Sequence, residues 1–451
     1  MPERDYVKKQ GSPLYDVTHY DLDLDYTVRT NRLVATARID VTLIEPAKEL
    51  EFDLVGLVVG DVRVDGVSVK GVKRRGDKLV VPLRGEGGAR RRLQVVIEYG
   101  GTPQPRRGPW GEVGFEELTD GALVAAQPDG APTWFPCNDR PSARATYRIS
   151  VTTEAAYTVV GNGELISRTR SASRATSVFD NATPTATYLA NIQIGRYSET
   201  TPAGSRGGVP QSIYLPDRLR RKVAHDFGRQ PEMMRLFVGL FGPYPFSRYD
   251  VVVTDDALEI PLEAQALSIF GSNHADGKRT SERLVAHELA HQWFGNAVGL
   301  ARWRDIWLNE GFACYAEWLW WDHIGESTAQ ESAARAYDVL AGEPKDIRIS
   351  DPGPDLMFDD RVYKRGALAL HALRIAIGDE AFFDLVRGWV AGHLDTVVTT
   401  DDFRRHLSVV EPGLDGVLSP WIDERALPKL PGGRHPEAEH RGLVARLLPG
   451  R

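Results

Sequence analysis

Between about residues 15 and 200, hydrophobic side chains recur at every second position. Tyr20, Leu22, Leu24 and Tyr26 alternate with polar residues, as do Leu33, Ala35, Ala37, Ile39, Val41 and Leu43. Leu50, Phe52 and Leu54 repeat the pattern, as do Leu93, Val95, Ile97 and Tyr99; Tyr147 to Val159 and Ala186 to Ile194 read as further strands. Successive side chains of an extended chain point to opposite faces, so this period buries one face of a sheet. Asp65-Gly66, between Val62 and Val64 on one side and Val67 and Val69 on the other, marks a tight hairpin. No helical period runs through the region, which predicts an antiparallel β domain.

The pattern changes after a Pro- and Gly-rich stretch, Thr201 to Gly208, which reads as a flexible connection. Beyond it a helix is expected from Arg218 to Phe241 and an apolar strand from Tyr249 to Thr254. Helical periods then cover Gln330 to Leu340, Gly366 to Ile377, Glu380 to Ala391 and Thr400 to Val410. After about Leu430 the chain turns rich in Pro, Gly and Arg, predicting a disordered tail. No internal repeat is visible.

With 451 residues the chain has room for two or three domains, and its 42% hydrophobic and 26% charged residues are those of a globular protein. No apolar run approaches a membrane span, and the first residues lack the apolar core of an export signal. A net charge of -7 argues against general nucleic-acid binding. The basic clusters at Lys73 to Arg75, Arg90 to Arg92 and Arg106-Arg107 read as solvated loop tips. Cys137 and Cys314, far apart, supply no disulfide framework and fit a reducing, cytoplasmic compartment. Nothing in the sequence sets an oligomeric state.

The chemistry concentrates between His287 and Glu310. His287-Glu288-x-x-His291 puts two imidazoles one helical turn apart on one face, where they can share one metal ion. Eighteen residues later Glu310 opens a second helical run and offers a third ligand, which leaves one position of a tetrahedral zinc ion open. Glu288 projects beside that ion as a base for water. Thr280 and Ser281 read as helix N-caps and Gly295-Asn296 as the stop. Glu317, two turns after Glu310, either holds a ligand imidazole from behind or is a plain surface carboxylate.

Set within Trp307-Leu308-Asn309-Glu310-Gly311-Phe312-Ala313, this motif resembles the aminopeptidase N and leukotriene hydrolase family of gluzincins. Further likeness lies in His19 to Leu24, in Phe135-Pro136-Cys137-Asn138-Asp139 with Pro141, and in Trp421 to Leu430. The resemblance implies a short two-domain form. A saddle-like antiparallel β domain would span residues 1–200, a thermolysin-like, mainly helical catalytic domain 201–432, and a disordered tail 433–451. It also implies one zinc ion per chain and peptide substrates with a free N-terminus, with no membrane or nucleic-acid partner.

By the same resemblance Tyr363, in Tyr363-Lys364-Arg365-Gly366-Ala367, would stabilise the oxyanion. Glu263, with Gln127 from the β domain, would grip the substrate's α-ammonium, and Glu259 is the rival for that task. The chain departs from the family's Gly-x-Met-Glu-Asn run in Ile260-Pro261-Leu262-Glu263-Ala264, where Pro261 has no N–H to offer a substrate. Lacking the family's later domains, the cleft is expected to be less enclosed. The expected activity is a zinc aminopeptidase; an endopeptidase, an epoxide hydrolase and a silent binding homologue are the alternatives.

Overall fold

The computed structural model describes residues 6–7 and 10–433. The expectation of a disordered tail falls almost wholly on 434–451, outside the described residues. The alternating segments form an eight-stranded sheet centred on Tyr15–Thr27, Arg32–Leu43 and Arg92–Gly101, with Tyr20, Leu22, Leu24 and Tyr26 buried as the pattern requires. One pairing departs from the antiparallel expectation: Tyr15–Thr27 runs parallel to Arg144–Glu154. These strands lie far apart in the chain, so no hairpin ties their directions.

Two expected strands divide. The Tyr147 to Val159 stretch breaks after Glu154, and Thr158–Gly161 joins a different, five-stranded sheet. Ala186 to Ile194 holds a strand end, a 3-10 turn at Thr187–Leu189 and the start of Ile192–Gly195. Apolar runs that are buried on both faces carry no periodic signal for such breaks. The basic clusters are also not simply loop tips. Lys73–Arg75 and Arg106–Gly108 are short strands, with Arg74 donating to the Leu54 carbonyl and Arg106 paired with Asp129 at 3.3 Å.

Thr201 to Gly208 closes a hairpin instead of forming a free linker, since Ser198–Thr200 pairs with Gln211–Leu215. This hairpin begins a second five-stranded sheet that continues through Tyr249–Val253 and Leu267–Phe270 to the edge strand Leu262–Ala264. The helix expected from Arg218 to Phe241 is two helices, Arg220–Asp226 and Gln230–Phe241. Pro231 lacks an N–H and fits best in a first turn, where no helical acceptor goes unmet, and it stands in the first turn of the second. The helix expected at Gly366 starts earlier, at Asp360, because the Asp359 carboxylate accepts the Arg361 N–H as an N-cap. A further helix, Leu414–Ile422, was not anticipated.

Three helices concern the site: the histidine helix Glu282–Ala290, the glutamate helix Trp307–His323 and the tyrosine helix Asp360–Ile377. They share a core with Trp293, Trp303, Trp307, Trp320 and Trp389. The glutamate and tyrosine helices meet backbone to backbone: a Cβ on Gly311 would lie 2.9 Å from the Gly366 Cα. Only glycine at both positions permits that approach, and it brings Glu310 and Tyr363 to one cleft. Among the described residues no helix is long and apolar enough to cross a membrane.

Candidate active site

His287 lies in the last turn of the histidine helix, and His291 is its C-cap, still with helical dihedrals (φ -56, ψ -23). The two rings therefore remain on one face, with centroids 4.8 Å apart. Ser281 stands at the N-cap, but its side chain makes no capping bond. Glu310, in the first turn of the glutamate helix, places Oε2 at 3.4 Å from the Nε2 of each histidine.

The outer nitrogens are occupied. His287 Nδ1 lies 2.8 Å from Glu317 Oε1, and His291 Nδ1 lies 3.0 Å from the Phe294 carbonyl oxygen. Both partners accept, so each Nδ1 carries a proton and each Nε2 is the atom turned inward toward Glu310, free to offer its lone pair once a metal ion displaces any proton it holds. Glu317 is buried, not a surface carboxylate, and it also receives Arg283 at 3.2 Å. Burial disfavours charge on both imidazoles, yet Glu310 and Glu263 together overcome it at His291 and pull it up to about 9. Against its own burial Glu310 is held down to about 2 by the same imidazoles. Three donors so arranged demand a positive charge between them. Ligands at about 2.0–2.1 Å from a tetrahedral ion lie about 3.4 Å apart, so the donor set fits zinc in both chemistry and spacing.

Glu288 is buried beside this cluster, and its Oε2 has no partner among the described residues. Burial, opposed by His287 and reinforced by Glu263, pushes its carboxyl up to about 8. Tyr363 stacks on His287 at 6.0 Å, and burial together with Glu310 holds its phenol protonated, a neutral donor. Glu263 sits on the edge strand Leu262–Ala264, where its carboxylate, that of Glu288 and a ring nitrogen of His291 lie within 4.8 Å of one another. Gln127 follows the strand Gly121–Ala125 and donates its amide N–H to Glu263 Oε1 at 2.7 Å. All the residues expected from the sequence thus meet in one cleft of about 590 Å³. The rival Glu259 is exposed and lines none of it. Pro261 is buried, while Ile260, 64% exposed, forms part of the cleft wall.

Sequence reasoning missed the residues that lock the edge strand to the histidine helix. Fully buried Gln292 accepts the Ala266 N–H at 2.7 Å and donates to the Ala264 carbonyl at 3.2 Å. Asn296 donates to the same carbonyl at 3.0 Å. Ala266 has φ +59, unusual for a residue with a side chain, and the Gln292 bond helps to secure that turn. From the β side Asn162 donates to the Gln265 carbonyl at 2.8 Å. The available signal was two amides placed one and five residues after His291, within an otherwise apolar segment.

The description of the peptidase M1 N-terminal domain matches residues 16–189, and that of the peptidase family M1 domain matches residues 227–421. Leucyl aminopeptidase of Saccharolobus solfataricus is 26% identical over 439 residues, covering 91% of this chain and 54% of that protein. The chain thus spans about half the length of such curated relatives. The crystal structure of an M1 zinc metallopeptidase from Deinococcus radiodurans is similar at TM-score 0.86 and 29% identity, covering 96% of this chain and 99% of that one. A mutant of that protein, bound to a Tyr-Ser-Ala substrate, matches at TM-score 0.87, with 29% identity over 95% of this chain and 98% of that one.

Proposed function

This chain belongs to the M1 family of peptidases, and on that premise we propose that it is a zinc-dependent aminopeptidase cleaving the first peptide bond of peptides with a free N-terminus. What chiefly supports this is the Gln127–Glu263 pair, held beside the His287, His291 and Glu310 cluster. A half-buried carboxylate next to an amide oxygen is an anchor for an ammonium group, and it stands one residue's reach from the chemistry.

His287, His291 and Glu310 would hold the zinc ion. When bound, it supplies Lewis acidity that polarises the scissile carbonyl and lowers the pKa of water. The chain's own groups do the rest. Glu288, with a free and buried Oε2, takes a proton from water and passes it to the leaving amine. Tyr363 donates its O–H to the oxyanion that develops on the former carbonyl. Glu317 and the Phe294 carbonyl keep both imidazoles in the tautomer that turns Nε2 inward. Gln127 spends its N–H on Glu263 and keeps its carbonyl oxygen for the substrate ammonium. Free, buried Cys137 and Cys314 support a reducing, cytoplasmic setting for the enzyme.

The test measures bound zinc, then turnover of aminoacyl chromogenic amides with free and N-acetylated amines, for wild type, Glu288→Gln and Glu263→Ala. Free amines should be cleaved and acetylated ones spared. Glu288→Gln should keep its zinc and lose about 10²–10⁴-fold in turnover, and Glu263→Ala should raise KM. Equal cleavage of acetylated substrates overturns the exopeptidase reading, and a wild type that binds no zinc overturns all of it.

A further inference from the structure

The active-site cleft does not end at the metal ligands. Trp321, on the last turns of the glutamate helix, and Arg335, on the helix Ala329–Gly342, line both this cleft and a second recess of about 520 Å³. The recess is walled by Arg229, Lys278, Arg279 and Arg335, against the carboxylates Glu282 and Glu326. Buried Glu282 is already matched by Arg229 at 3.3 Å. Among the described residues Lys278, Arg279 and Arg335 have no carboxylate at ion-pair distance. The Arg335 guanidinium donates to the hydroxyls of Ser327 and Ser332, at 2.6 and 3.0 Å, and the Arg279 guanidinium to the His225 carbonyl, at 3.1 Å, while the Arg279 backbone N–H donates to Asp226 Oδ1 at 3.0 Å. The walls set four cations against the two carboxylates Glu282 and Glu326, so the recess carries net positive charge even though Arg279 also acts on Glu282 and Lys278 on neighbouring Asp276.

The two cavities together are electrically polar. Glu263 marks an acidic end suited to an ammonium, and the recess is a basic end suited to a carboxylate. Trp321 follows Glu310 by eleven residues on one helix, which at 1.5 Å per residue is about 16 Å. An extended peptide covers that distance in about five residues, at about 3.3–3.6 Å each.

We propose that the recess lined by Lys278, Arg279 and Arg335 is a carboxylate subsite for the leaving portion of the substrate, making peptides of about five to six residues the preferred class. The carboxylate comes from the peptide's C-terminus or from an acidic side chain at the same distance. This rests on the aminopeptidase reading, because the distance runs from the metal ligand Glu310 and the count of residues assumes that the substrate's amine lies at Glu263, on the near side of the scissile bond.

The experiment measures kcat/KM for Leu-(Ala)n peptides of two to eight residues, each as the free acid and as the C-terminal amide. It also includes amidated pentapeptides ending in Glu or Gln. Wild type, Arg335→Gln and Lys278→Gln are compared by the acid-to-amide ratio within each protein, so a general loss of activity cancels. The wild-type ratio should peak at about fivefold for five to six residues, as one to two exposed ion pairs would give. It should fall toward one in both variants and at high salt. Greater cleavage of the amidated Glu peptide than of its Gln counterpart assigns the side chain as a second source of the carboxylate. A wild-type ratio near one at every length overturns the subsite. If aminoacyl chromogenic amides are still cleaved in that case, the aminopeptidase reading stands; if they are not, that reading has failed first.

Discussion

His287 and His291 converge because one helical turn separates them, whereas Gln127 and Glu263 converge across 136 residues of sequence. The metal half of the site is nearly complete within two helices, and its outer nitrogens are tied to Glu317 and Phe294 nearby. The amine half hangs on an edge strand, held in place by Gln292, Asn296 and Asn162. On the proposed function, local geometry sets the chemistry, and tertiary contacts would set where on a peptide it acts. Damage to the first half should abolish catalysis, and damage to the second should relax selectivity while metal is kept.

Glu310→Ala gives the sharpest break. Removing a ligand and leaving two facing imidazoles should abolish zinc binding and lower turnover by more than about 10³-fold, with metal analysis and activity as readouts. Glu317→Gln tests whether the support behind His287 belongs to the same half. It should weaken zinc affinity about 10–100-fold, measured by chelator competition, and leave the free-to-acetylated preference intact. Gln292→Leu attacks the clamp instead. The half-buried Ala266 N–H without its acceptor should cost about 0.5–1.5 kcal/mol of stability in denaturant titrations. KM for free-amine substrates should rise while bound zinc stays at one per chain.

Gln127→Ala removes only the β-domain share of the anchor. KM should rise about five- to tenfold with kcat nearly unchanged, as the loss of one hydrogen bond to a charged group implies. The smallest effect contrasts two buried carboxylates. Glu310 is held low by two imidazoles, whereas burial, with Asp53 nearby, pushes Asp139 up to about 7. The folded chain then binds a proton that the unfolded chain releases near pH 4, so this group's contribution is present below about pH 4 and lost as pH rises toward 7. Denaturation midpoints of Asp139→Asn should fall less than those of wild type between pH 4 and pH 7.

The alternating strands and the pair of metal-binding histidines were legible because each obeys a period: two for strands, and four residues along a helix for the histidines. Glu310, Glu263 and Gln127 were reached only through resemblance or through the rule that zinc needs a third ligand. No period connects residues on different elements. The parallel pairing of Tyr15–Thr27 with Arg144–Glu154 stayed invisible for a related reason, since a sheet's side-chain alternation is the same in either direction. Pro231 and Asp359 did carry local signals, for a helix start in each case, and only the broad apolar periods around them hid the boundaries.

By itself the sequence determined the kind of chemistry: two imidazoles and a base on one helical face, with little that tertiary packing could change. Only the tertiary structure decided which groups stand around that chemistry, and with them the selectivity proposed for the site. It did so by closing Gly311 on Gly366 to bring Tyr363 to His287, by tying the strand that carries Glu263 to Gln292, and by setting a basic recess beside the cleft across Trp321 and Arg335. The physical reason is range. A helix fixes neighbours through its own hydrogen bonds, but contacts between distant segments exist only once the whole core has paid its conformational entropy.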